Sequence, residues 1–394
     1  MKNWRAWLGG LLGLVLWSVV VGAQGAIVTG LYEASVPVPD QSAQARSTAL
    51  QQALAAVLVK VTGERTAGGV PALAALTQDP NRFLQQYHYE QTQDQNDNSQ
   101  ASGVTYFDLT RNGPLAIAGT GLVLHAKFDP DAVNQAVQNA GEPVWGRERP
   151  ATLVWLALQD GSTRTILSAT SNPAVVQAMN SVATQRGIPL IFPSMDAQDQ
   201  QAIAFTDVWT GNQTAIQQAS ARYHPDAILI GNIYSMNAGQ YAVRWQLMSG
   251  DSVQAWNGIT GDLPSITTDG LQTAADDYAK QYAIAAGSVG VNGVPVEVDG
   301  IDNVDAYAKV LAYLNSLTPV KSVQVRQVTA NSVMFRIDSR GSEANLANAI
   351  ALGDLLRRVA QFPPPAATTT APNAATVAAP AAAGVATLQF KYSR

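Results

Sequence analysis

The chain contains no cysteine. That absence excludes disulfides, thiol nucleophiles, zinc–thiolate sites and iron–sulfur clusters, and with them the lipid-bearing cysteine of a bacterial lipoprotein. Histidine is nearly absent too: His88, His125 and His224 are the three present, and no two of them stand in a metal-binding spacing such as HExxH. Charge is sparse. Only 13% of the residues are Asp, Glu, Lys or Arg, against about 25% in an average protein. The formal charge is −5 and no basic run occurs, so no phosphate-tracking surface, and no nucleic acid partner, is expected. GxSxG, GxxxxGK[ST] and GxGxxG are all missing, which leaves neither a nucleophile elbow nor a phosphate-cradling loop. The sequence therefore predicts no cofactor, no catalytic set and no metal ligands.

What the chain does have is apolar mass. Hydrophobic residues make up 47% of it, enough to build cores without cross-links. The first residues are organised: MKNWR is a short basic start, AWLGGLLGLVLWSVVVG an apolar run, and AQGA places Ala23 and Gly25 at the −3 and −1 positions for cleavage before Ala26. This is the layout of a secretory signal peptide over residues 1–25. An uncleaved anchor is the alternative, because the run reaches the lower limit for a bilayer span. Gly9, Gly10 and Gly13 weaken such a helix and favour cleavage. No second stretch is long enough to span, so a soluble periplasmic chain without a transmembrane segment is expected after cleavage.

Periodicity divides the remainder into an N-terminal α/β domain (26–143), a central α/β domain (144–290), a small ferredoxin-like domain (291–360) and a Pro/Ala/Thr-rich tail (361–394). In the first, AIVTGLYEASVPVP reads as a strand and Asp40 or Ser42 as the cap of a helix. That helix has the stripe Leu50, Leu54, Val57 and Val61 and stops at Gly63. A second helix is predicted over about Pro71 to Gln86, then strand YHYEQT, the polar loop QDQNDNSQASG, strand LAIAGTGLVLHAKFD and a short helix. The central piece opens with ATLVWLALQ, a near-continuous apolar strand as in a sheet covered on both faces. The order β-α-β-α-β-β-β-α follows, a mixed-sheet α/β sandwich. The third piece reads βαββα, the order of a ferredoxin-like half-sandwich. The low-complexity linker then ends in TLQFKYSR, where Leu388, Phe390 and Tyr392 alternate. Such an end is either a disordered tail or a strand that docks on this protein or on a partner.

Seven side chains stand out as candidate binding residues. In RGIPLIFPSMDAQD, Asp196 and Asp199 follow a strand directly. Two carboxylates there suit a metal or acid/base site, but equally the first turn of a helix, where they accept free N–H groups and meet the positive end of the dipole. Capping is the simpler account. In VWGRERP, the indole of Trp145 beside Arg147 and Arg149 suits an anchor for a carboxylate or a partner; the alternative is an interdomain clasp, with Arg149 paired to Asp131 or Glu148. Arg222 and Tyr223 of SARYHPD carry the same two meanings. His224 reads as a charge at a helix end, and His125 near Asp129 as a weak base–orienter pair.

Several stretches, in order, resemble the proteobacterial family of exported proteins called domain of unknown function 2066: LYEASVPVPDQSAQARSTALQQALAAVLVKVTGE, VWGRERPATLVWLA, RGIPLIFPSMDAQD, ASARYHPDAILIGNI and VRWQLMSG. The resemblance covers roughly residues 27–356 and implies no catalytic residue. The middle domain is similar to the TolB amino-terminal domain, an envelope scaffold. Together these lead to the expectation of a non-enzymatic binding or assembly module of the cell envelope with an unidentified envelope protein partner. The alternatives are an envelope hydrolase or a small-ligand binder using an interdomain cleft.

Overall fold

Among the described residues the chain folds around three larger β-sheets, the first and third with one hydrophobic core each and the central one with two, beside a two-stranded pair. The computed structural model describes residues 28–91, 105–108, 113–116, 121–237, 239–250, 252–359 and 387–393. The predicted signal peptide, the polar QDQNDNSQASG stretch and the low-complexity part of the tail lie outside the described residues.

The first unit runs β1 (Glu33–Pro37), α1 (Ala43–Thr62), α2 (Pro71–Leu76), β2 (Leu84–Gln91), β3 (Thr105–Asp108), β4 (Gly113–Ala116), β5 (Leu122–Phe128) and α3 (Pro130–Asn139). Its sheet has the order β1-β5-β2, all antiparallel, while β3 and β4 pair with each other. Ser42, not Asp40, caps α1, its side chain accepting from the Ala45 N–H at 3.2 Å. The predicted stripe Leu50, Leu54, Val57 and Val61 is buried against the sheet. The long second helix is cut short at Leu76. Pro80 cannot continue a helical ladder, and the chain turns through Pro80–Arg82 into β2 at Leu84. Gly63 ends α1 with φ 77°, and a Cβ there would stand 2.4 Å from the Cβ of Ala279 in the central unit. Only glycine permits both the left-handed turn and that approach.

The central unit comprises β6 (Thr152–Asp160), β7 (Thr163–Leu167), α4 (Pro173–Arg186), β8 (Leu190–Ile191), α5 (Ala197–Ala202), α6 (Phe205–Thr210), α7 (Gln213–Ser220), β9 (Ala227–Asn237), β10 (Gln240–Ser249), β11 (Ser252–Asn257) and α8 (Leu263–Tyr282). The order is β11-β10-β9-β6-β7, with β8 also on β6; β6 and β9 are parallel and the meander β9–β11 is antiparallel. Residues of α4 and α8 share one core with alternate sheet residues, and residues of α6 and α7, with Ile203 just after α5, share a second with the others. That double cover explains the unbroken apolar run of β6.

The third unit holds β12 (Val294–Asp299), α9 (Val304–Ser316), β13 (Val320–Val328), β14 (Ser332–Ser339), α10 (Glu343–Ala351), β15 (Leu356–Arg358) and β16 (Leu388–Tyr392). Its order is β13-β14-β12-β16-β15. A split βαβ sheet would set the strand after the second helix directly beside the first strand. Here β16 lies between them, parallel to β12 and antiparallel to β15. The alternation at the C-terminus is thus that of an interior strand docked on its own chain, with Leu388 and Phe390 in the core. The whole is a mixed α/β fold, and no helix among the described residues is long and apolar enough to cross a membrane.

Candidate functional site

The seven candidate side chains fall into two groups. The first closes the end of the central sheet. Asp196 is the N-cap of α5, its Oδ1 accepting from the N–H groups of Gln198 and Asp199 at 3.0 Å each. Asp199 does not complete a capping box; its side chain turns inward and is fully buried. It accepts from the Met195 N–H at 2.8 Å, Ser194 Oγ at 3.2 Å, Arg222 Nη1 at 2.9 Å and Tyr223 OH at 2.5 Å. Arg222 also grips Asp196 with both terminal nitrogens, at 2.8 and 2.9 Å. That guanidinium, with the backbone N–H donor, holds the Asp196 carboxyl far below the usual carboxylate range. Desolvation first, then donation to Asp199, raises the Tyr223 phenol. Four internal donors already occupy the carboxylate, three on Oδ2 and one on Oδ1, so its hydrogen-bonding capacity is turned toward the fold. Asp199→Ala is expected to destabilise the chain by about 3 kcal/mol, because the Met195 N–H and the Tyr223 hydroxyl lose their Asp199 acceptor and Arg222 keeps only Asp196; chemical denaturation of the purified variant measures it.

The second group is the segment 144–150, a seam between all three units. Val144 exchanges backbone hydrogen bonds with Ile284, and the Trp145 N–H donates to Val61 O of α1 at 2.7 Å. Trp145 and Arg149 are both 0% exposed, and the Arg149 guanidinium lies 3.6 Å from the centroid of the Trp145 ring. Arg149 does not pair with Asp131 or Glu148, as an acid clasp would. It donates to four carbonyls: Gly146 at 2.7 Å, Trp145 at 2.9 Å, Lys60 at 2.7 Å and Arg186 at 3.2 Å. Burial among neutral dipoles pushes its pKa down to about 9. Glu148 turns the other way and accepts from Thr318 N–H at 2.8 Å, while Arg147 donates to Ser316 O at 3.3 Å, both in the third unit. Further ties reinforce the seam. Arg186 Nη2 bonds Gly63 O at 2.6 Å and Asp276 at 2.7 Å. Asp226 accepts from Ala151 and Gly353 N–H groups at 2.9 and 2.6 Å.

Trp145 and Arg149 therefore present no open face to a ligand. Two other features were not apparent in the sequence. A cleft of about 520 Å³ opens between the start of the first unit and α4, lined by Thr29, Leu31, Thr184 and Leu190. Lys60 at its wall donates to Glu33 O at 2.8 Å, and burial pushes its amine down to about 8. The other is on the outer face of the first sheet, where His88 and His125 stand directly opposite one another with Ser35 on the far side. As they stand, no three His, Asp or Glu side chains among the described residues are arranged to hold a metal ion.

The pattern of a family described as Domain of unknown function (DUF8605) matches residues 26–146. The match spans the first α/β unit and ends within the seam. No curated protein matches the sequence.

Proposed function

We propose that the chain is a non-enzymatic binding and assembly module of the bacterial cell envelope, exported to the periplasm through residues 1–25. The observation that carries this reading is where the polar chemistry is spent. The buried carboxylate and guanidinium groups singled out above are consumed in internal hydrogen bonds, while apolar side chains are left on the outside of the third unit. There Val304 is 82% exposed and Val328 65%. Between them lies a cleft of about 350 Å³ lined by Ile301, Tyr307 and Val333. A recess lined mostly by apolar side chains, with Asp302, Asn303 and Thr329 also on its wall, suits an aliphatic side chain of a protein partner. The resemblance to the exported family of unknown function 2066 supports the same address.

The double variant Val304→Glu and Val328→Glu tests it. Both positions are exposed, so the fold should be kept. Wild-type chain from gently solubilised envelopes is expected to elute well above its own mass, and the variant at the mass of the free chain. Identical elution of the two would contradict the reading. A second reading, a small-ligand binder, has one observation in its favour, the buried Lys60 amine, its pKa pushed down to about 8, at the wall of the cleft beside α4.

A further inference from the structure

The outer face of the first sheet carries two of the three histidines, far apart in sequence and brought into register by the pairing of β2 with β5. The rings of His88 and His125 stack with centroids 4.8 Å apart and planes 13° from parallel. On one side of His125, Nδ1 is 2.8 Å from Ser35 Oγ of β1. On the other, Nε2 is 3.0 Å from Glu90 Oε2, yet the two are not aligned as a hydrogen bond, and Nε2 is a buried nitrogen without a hydrogen-bond partner among the described residues. His88 and Glu90 are exposed.

We propose that His88 and His125 bind a borderline divalent cation, Cu²⁺, Ni²⁺ or Zn²⁺, across the β2–β5 ladder, with Glu90 at its margin and water in the remaining positions. Three physical arguments support it. When Ser35 Oγ accepts the proton on Nδ1, the lone pair of Nε2 faces a carboxylate oxygen, an unfavourable meeting unless a positive charge lies between them. Two donors each about 2.0–2.1 Å from one ion stand roughly 2.9–3.4 Å apart in ordinary geometries, and the Nε2–Oε2 separation is 3.0 Å. Directly opposed residues on neighbouring strands have Cβ atoms about 4.5–5.5 Å apart, close enough for both imidazoles to reach one ion once the exposed His88 ring swings out of the stack. Two imidazoles define an exchangeable site rather than a closed structural centre, so the metal would staple two strands when it is available and leave the fold intact when it is not. Soft thiolates are absent from the chain, and oxygen-preferring Mg²⁺ and Ca²⁺ have no claim on imidazole.

The test is calorimetric titration of the purified full chain with ZnCl₂ and with CuCl₂, beside its single-histidine variants. One equivalent is expected to bind at micromolar affinity. His88→Ala and His125→Ala should each weaken binding by about 10–100-fold, Ser35→Ala by a smaller factor through loss of the ring's anchor. His224→Ala, at the remaining histidine, should bind as wild type does, and MgCl₂ and CaCl₂ should give no saturable heat. The expected thermal shift on metal addition is upward, since the ion binds only the paired strands. Absence of saturable binding would overturn the proposal, and so would binding that survives both His88→Ala and His125→Ala. Melting curves of the metal-free variants, expected to match wild type, separate loss of the site from loss of the fold.

Discussion

A chain ending at Val359 is expected to lose the third unit. β16 is not an appendage to that sheet but its interior: it pairs with β12 over Val296–Asp299 on one side and with all of β15 on the other. Without it, β15 has no partner strand among the described residues and the inner edge of β12 is laid open. Leu388 and Phe390, 5% and 0% exposed, leave a hole in the core that also holds Val296, Val310 and Leu346. Phe390→Ala alone should cost about 3–5 kcal/mol, the usual price of emptying a buried phenyl site. The gentler variant matters because the truncated chain could fail to accumulate. Chemical denaturation followed by limited proteolysis reads both: cleavage should begin within residues 291–359 and leave the first two units intact. Truncation without effect on melting or cleavage would show that β16 is dispensable.

Arg149→Met is expected to be the most damaging single change in the seam, at about 3–5 kcal/mol. Methionine fills part of the volume and keeps the contact with the Trp145 ring, so the loss reports the hydrogen bonds. Four carbonyls from three places, Gly146 and Trp145 in the seam, Lys60 in α1 and Arg186 in α4, would lose their donor in a buried site. Each unsatisfied group costs about 1–3 kcal/mol, part of it offset by no longer burying the guanidinium. The same burial that lowers the Arg149 pKa is the source of that offset. Because the arginine ties α1 to α4, its loss should also separate the unfolding of the first unit from that of the second. Calorimetry would then show two transitions where wild type shows fewer.

Local pattern was legible where local physics decides. The α1 stripe with its Gly63 stop, the three consecutive strands β9–β11 and the βαββ run of the third unit follow from periodicity, caps and turns. β7 was missed because TRTIL is short and lies mostly exposed on a sheet edge, where alternation carries little signal. The place of β16 was open because strand alternation says nothing about which sheet receives the strand. The joints were the least legible. Arg149 is held by carbonyls, which every residue has and no sequence motif marks. Asp196 declared itself as a cap by position, but Asp199 met Arg222 and Tyr223 only because the single 3-10 turn Ala221–Tyr223 after α7 returns to the start of α5. His88 and His125 likewise became neighbours through strand register, not spacing.

Photo-crosslinking in intact cells from a light-activated residue at position 328, with Gln254 on the exposed strand β11 as the control position, addresses the assembly role most directly. One dominant envelope protein, captured from position 328 and not from 254, and lost when Val304→Glu is added, is the result predicted. Capture of the same background from both positions, or of nothing reproducible from either, would contradict an assembly module and turn attention to ligands for the cleft beside Lys60.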